Sequence, residues 1–205
     1  ISNCLRPGCV HDANDSAHIY EILVVRDLVQ RALSHGVSVM VEGPGHMSFD
    51  QIEYSVKLQK KLNYNVPMYM LGPTVVDVAV GYDHIVAAIG GTMAGYAGAD
   101  FLCTLTPAEH IGLPNEEETK EGIYATKIAA FAVDTARQNQ KALLRNYKIS
   151  EARKSLDWKS QAKYALTNKE TKNILKERSN GQPCLMCGKS CPLKLAGCDF
   201  FQKNK

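Results

Sequence analysis

One rhythm constrains this chain more than any other feature: a helical stretch followed directly by a short, β-branched apolar run, repeated at intervals of about 30 residues. "IYEILVVRDLVQRALS" at 19–34 places Ile19, Leu23, Val29 and Leu33 near helical spacing, "HG" stops it, and "VSVMVE" follows at 37–42. A helix at 50–62 precedes "VPMYML" at 66–71, and another at about 83–94 precedes "ADFLCTL" at 99–105. Such alternation predicts βα units on a parallel sheet, and parallel sheets carry their chemistry at the carboxyl ends of the strands.

The residues after each run fit that rule. They are "EGPGH" at 42–46, "GPTVVDVAVGYDH" at 72–84 and "TPAEH" at 106–110, each with a carboxylate and a histidine. Glu42 is placed for proton transfer or substrate contact, and His46 for metal ligation beyond a glycine-rich turn. His110 can supply a second imidazole, whereas Thr106, Pro107 and Glu109 read as a helix cap. Asp83 and His84 read as the opening of a helix, with a supporting role at the site. Arg6, on the loop "NCLRPGCVHDAND", offers a planar donor fork suited to phosphate or carboxylate.

Three strands are clear, and a fourth is expected if Ile1 ends one. A closed (β/α)8 barrel needs eight. The expectation is therefore an α/β chain forming the C-terminal portion of a parallel (β/α)8 barrel over 1–115, a helical region over 116–178 and a cysteine-rich tail over 179–205.

Residues 151–205 carry 12 Lys/Arg against 5 Asp/Glu, although the whole chain is only +3. The basic tail lacks interleaved aromatic residues, so a solvated helical surface is expected rather than contact with nucleic acid. No apolar run approaches the roughly 20 residues of a membrane helix, and "ISNCLRPGCV" lacks a signal-peptide pattern, so the cytoplasm is the expected compartment. Seven cysteines, an odd number, fit reduced thiols better than a disulfide framework.

Three of those thiols, Cys184, Cys187 and Cys191, follow a C-x2-C-x3-C pattern in "CLMCGKSCPLKLAGC". Spacing alone leaves two readings open. With Cys198 as a fourth ligand the loop would hold a structural zinc; with three ligands it would hold a 4Fe–4S cluster with one open iron.

"LRPG", "VMVEGPGH", "MYMLGP", "GYDHI", "TPAEHIGLP", "KIAA" and the terminal C-x-M-C-G, in this order, resemble the phosphomethylpyrimidine synthase family over nearly all 205 residues. The resemblance covers what would be the C-terminal half of that longer radical S-adenosylmethionine enzyme. It implies conversion of aminoimidazole ribotide to 4-amino-5-hydroxymethyl-2-methylpyrimidine phosphate in thiamine biosynthesis, with formate and carbon monoxide released. It also implies a carbon–carbon lyase with a 4Fe–4S cluster, S-adenosylmethionine, a mononuclear zinc or iron, an external electron donor and a homodimer. A barrel fragment by itself is expected to be inactive.

Motif by motif, Asn3, Cys4, Leu5 and Arg6 fall on the family's substrate segment, and Glu42 and Tyr69 on substrate-contacting positions. His46 and His110 fall on its metal ligands, and Cys184, Cys187 and Cys191 on its cluster ligands. Asn3, Cys4, Val80 and Phe131 depart from the residues usual there, and the cysteine spacing is one residue shorter. A carboxylate lost at position 3 bears on the product. A related enzyme, 5-hydroxybenzimidazole synthase of cobamide biosynthesis, uses the same ribotide and is the alternative; a zinc-stapled, non-catalytic binding domain is the further one.

Overall fold

The computed structural model describes residues 1–2 and 7–196; Asn3, Cys4, Leu5, Arg6 and Cys198 lie outside the described residues. The chain divides into two compact units, Ile1–Arg137 and Gln138–Lys205.

The first unit is built as the alternation predicts. Helices α1 (Ser16–Ser34), α2 (Phe49–Leu62), α3 (Asp83–Ala97) and α4 (Glu116–Ala136) alternate with strands β1 (Val41–Glu42), β2 (Met68–Met70) and β3 (Phe101–Leu102). The strands form one parallel sheet in the order β1-β2-β3, with Val41 beside Met68, and Glu42, Tyr69 and Phe101 in register. The sheet is α/β and compatible with part of a barrel.

The strands are shorter than the apolar runs suggest, because a strand is defined by its ladder and each ladder here is brief. Single parallel hydrogen bonds continue it at the carboxyl ends, from Gly43 N–H to the Tyr69 carbonyl (2.8 Å) and from Cys103 N–H to the Met70 carbonyl (2.8 Å). Ile1 stands where a fourth strand would end: its nitrogen donates to the Met40 carbonyl and its carbonyl accepts from Glu42 N–H.

Alternation across the strands sorts the two faces. Val41, Met68 and Met70 are buried against Val25, Val29, Ile52, Val56, Val86 and Ala94 from the helices. Glu42, Tyr69 and Phe101 occupy the opposite face, where Phe101 is 58% exposed.

Two glycines let α3 and α4 press on strand-end loops. A Cβ on Gly90 would lie 1.8 Å from the Pro73 carbonyl oxygen, and one on Gly122 would lie 2.1 Å from that of Leu105. At the start of α4, Asn115 and Glu118 form a reciprocal capping box. The cap read at 106–109 does not form: residues 107–111 are a turn, and the Thr106 hydroxyl is buried without a hydrogen-bond partner.

The second unit holds α5 (Gln140–Lys154), α6 (Trp158–Tyr164), α7 (Lys169–Glu177) and α8 (Pro192–Ala196). Trp158 organises it: its indole N–H donates to the Gln182 carbonyl (2.8 Å), its backbone N–H to Asn180 (2.9 Å), and Arg178 stacks over its ring. These contacts anchor the segment leading into the cysteines. No helix among the described residues is long and apolar enough to cross a membrane.

Candidate functional site

The loops after the three strands bring His46 and His110, 64 positions apart, to a ring-centroid separation of 5.0 Å with a 52° interplanar angle. His46 lies at the end of "GPG" and makes a parallel bridge with Thr74 across the loop after β2. His110 sits in the turn after β3 with φ of 62°, a left-handed conformation in which a non-glycine residue is uncommon.

Each ring is held through Nδ1. For His46, Asp77 Oδ1 lies at 3.1 Å and Thr74 Oγ1 at 2.7 Å. For His110, Asp83 Oδ1 lies at 2.9 Å. Asp83 is thus the first residue of α3 and the carboxylate under His110 at once, more than the simple cap its position suggests. His84, beside it, is buried and turns Nε2 toward Glu121 at 3.3 Å. Thr74 and Asp77 are missed by motif reading, although the carboxylate lay in plain view on the loop between Gly72 and Asp83.

Two imidazoles bound at about 2.0–2.1 Å to one tetrahedral ion would have centroids roughly 5 Å apart, so this pair fits a shared divalent metal in both spacing and donor type. Among the described residues no group of three His, Cys, Asp or Glu forms a ready-made metal cage. Beside the pair, Asp77 and Asp83 face the Nδ1 atoms.

Glu42 and Tyr69 lie side by side on the sheet face opposite the core, and Glu42 accepts a hydrogen bond from the Ser2 hydroxyl. Cys103 follows β3 nearby; burial, with Glu42 and Glu109 as neighbouring charges, pushes its thiol up.

In the second unit, Cys184, Cys187 and Cys191 line one cavity of about 470 Å³ with Trp158, Leu156 and Leu193. Cys191 is buried and Cys187 exposed. The Cys187 backbone N–H and thiol hold the Cys184 thiol below its ordinary range, and the same contact raises Cys187. Three thiols on one apolar-walled cavity match the donor chemistry of an iron–sulfur cluster, although they do not converge on one point.

Polar side chains gathered at the carboxyl ends of parallel strands, on a chain that also presents three clustered thiols, are the arrangement in which α/β enzymes place their chemistry. A profile of the radical SAM ThiC family matches residues 1–197, and the chain belongs to that family. It is 50% identical over 197 residues to the phosphomethylpyrimidine synthase of Caldanaerobacter subterraneus subsp. tengcongensis, covering 95% of this chain and 46% of the relative. The enzyme of that name from Archaeoglobus fulgidus is 46% identical over 198 residues (95% and 47%), and that from Thermus thermophilus 50% over 196 (95% and 45%). The chain spans about half the length of the relatives it matches.

Proposed function

We propose that this chain is the C-terminal catalytic part of a radical S-adenosylmethionine lyase that rearranges aminoimidazole ribotide to 4-amino-5-hydroxymethyl-2-methylpyrimidine phosphate. The observation that carries the reading is 50% identity to phosphomethylpyrimidine synthases sustained over 95% of the chain. Family membership also weighs against the non-catalytic, zinc-stapled domain.

In this reading Cys184, Cys187 and Cys191 of the tail over 179–205 hold a 4Fe–4S cluster, with Cys198 outside the ligand set. When bound, cluster and S-adenosylmethionine supply a 5′-deoxyadenosyl radical. The residues of the barrel part over 1–115 bind and orient. Asn3, Cys4, Leu5 and Arg6 form a substrate segment in which Arg6 holds ribotide oxygens through its donor fork. Glu42 accepts hydrogen bonds from the aminoimidazole, and Tyr69, its register neighbour, contacts the same molecule. His46 and His110 hold a zinc or iron ion through Nε2. The region over 116–178 is the helical stretch that leads to the tail. A homodimer, an external electron donor and a cytoplasmic setting complete the proposal.

The test is anaerobic reconstitution of the complete, full-length enzyme that contains this chain, incubation with aminoimidazole ribotide, S-adenosylmethionine and a reductant, and mass analysis of the product. A pyrimidine phosphate is expected. Hydroxybenzimidazole would assign the cobamide reaction instead, and an unconsumed ribotide would overturn both.

A further inference from the structure

We infer that Asp77 and Asp83 are positioning residues that fix the tautomers of His46 and His110, so that both rings present an Nε2 lone pair to one divalent ion. The inference rests on the metal reading given above and extends it to side chains that touch neither ion nor substrate.

Proton counting around His46 settles its tautomer. The Gly45 carbonyl can only accept, and the Thr74 hydroxyl donates its single proton to it at 3.0 Å. Toward His46 Nδ1, at 2.7 Å, Thr74 Oγ1 must then act as an acceptor. Asp77 Oδ1, a carboxylate oxygen at 3.1 Å from the same nitrogen, is also an acceptor. Two acceptors facing one ring nitrogen require that nitrogen to carry the hydrogen. In a neutral imidazole the lone pair then lies on Nε2, the nitrogen a metal would take.

His110 reaches the same state more simply. Its Nδ1 faces Asp83 Oδ1 at 2.9 Å. Asp83 is the first residue of α3, where the helix dipole favours a negative charge. Its side chain is 11% exposed and its second oxygen is buried without a hydrogen-bond partner, so the ring N–H answers a carboxylate with little water to turn to.

Asp77 has a further job. Its Oδ2 accepts the Val10 backbone N–H at 2.8 Å, which ties the short turn Val10–Asp12 to the carboxylate that orients His46. Asp77 lies on the connection between β2 and α3 and Asp83 at its end, as the first residue of α3, and the two serve histidines on the loops at either side of it. A single segment thereby sets both ligands.

The experiment uses the full chain, stripped of metal, titrated with Co2+ and followed by its visible ligand-field absorption, with Zn2+ in competition. Asp77→Asn and Asp83→Asn are compared with His46→Ala and His110→Ala. An amide can turn its NH2 toward Nδ1 and reverse the tautomer, so each Asn variant is expected to weaken binding by about 10–100-fold. Histidine-selective nitrogen NMR of the metal-free protein should show Nδ1–H tautomers for both rings in the wild type and a shift toward Nε2–H in the matching variant. Asp77, with a side chain 43% exposed, can be replaced without emptying the core, which keeps the test open if Asp83→Asn fails to fold.

Unchanged Co2+ affinity and unchanged tautomers in the Asn variants would overturn this inference while leaving the shared metal site standing. A wild type that binds no ion dependent on His46 and His110 would overturn both.

Discussion

Replacing Gly90 by alanine adds one methyl group at the place where α3 comes closest to the loop that follows β2. The added carbon would sit 1.8 Å from the Pro73 carbonyl oxygen and 3.0 Å from Val75 Cγ1. Because the obstacle is backbone, helix and loop must part by at least ~1 Å before the contact becomes tolerable. Overpacking of this kind costs about 1–3 kcal/mol and occasionally more, against about 1 kcal/mol returned by alanine's better helix propensity. A backbone obstacle at 1.8 Å puts the cost at the top of that range, about 3 kcal/mol, so a net loss of about 2 kcal/mol is expected.

Gly91→Ala is the internal control. Its added carbon would meet the Gly72 carbonyl oxygen at 2.9 Å and Leu102 side-chain carbons at 3.3 and 3.4 Å, which small adjustments relieve. The propensity gain then nearly cancels the crowding. Hydrogen exchange of the α3 amides is the suitable assay, since it reads local opening without assuming that both units unfold together. Gly90→Ala should accelerate exchange along α3 by roughly 30-fold, about 2 kcal/mol, and Gly91→Ala should leave it near wild type. Protection in Gly90→Ala equal to that in Gly91→Ala would refute the close approach of α3 to Pro73.

Three other outcomes follow from named contacts. His18 is fully buried, its Nδ1 accepts the Asn14 N–H at 3.0 Å, and burial lowers its pKa despite Glu21 and Asp15. The unfolded chain therefore takes up the proton first, and stability should fall as pH drops below about 6.5, by at most about 1.4 kcal/mol per pH unit; His18→Gln should flatten that slope in urea melts at pH 7.5 and 5.5. Asn115→Ala removes the cap of α4 and should cost about 1 kcal/mol in the same melts, whereas an unchanged midpoint would deny the capping box a role. Cys187→Ala should leave the anaerobically reconstituted full chain colourless, and iron and sulfide retained at wild-type stoichiometry would remove Cys184, Cys187 and Cys191 as the ligand set.

What the sequence makes legible here is what local chemistry decides. Helical spacing and β-branched runs located α1, α2 and α3 and the three parallel strands, because side-chain periodicity is a property of neighbouring residues. Strand length was overestimated because a ladder depends on partners, and Val37 and Met40, both exposed, belong to an apolar run without belonging to a strand. Residues 106–109 differ from expectation for a similar reason: the residue types suit a helix start, but the chain turns at His110 in a left-handed conformation and the helix begins only after Asn115.

The same distinction explains why His46 and His110 could be named in advance and Thr74 and Asp77 could not. A histidine at a strand end stands out by its type and place, whereas a threonine on a loop gains meaning only when its hydroxyl proton is already committed, here to the Gly45 carbonyl. That commitment is a three-dimensional fact. It turns Thr74 from a donor into an acceptor, and this reversal, together with the Asp77 carboxylate, places the hydrogen of a neutral His46 ring on Nδ1 and its lone pair on Nε2.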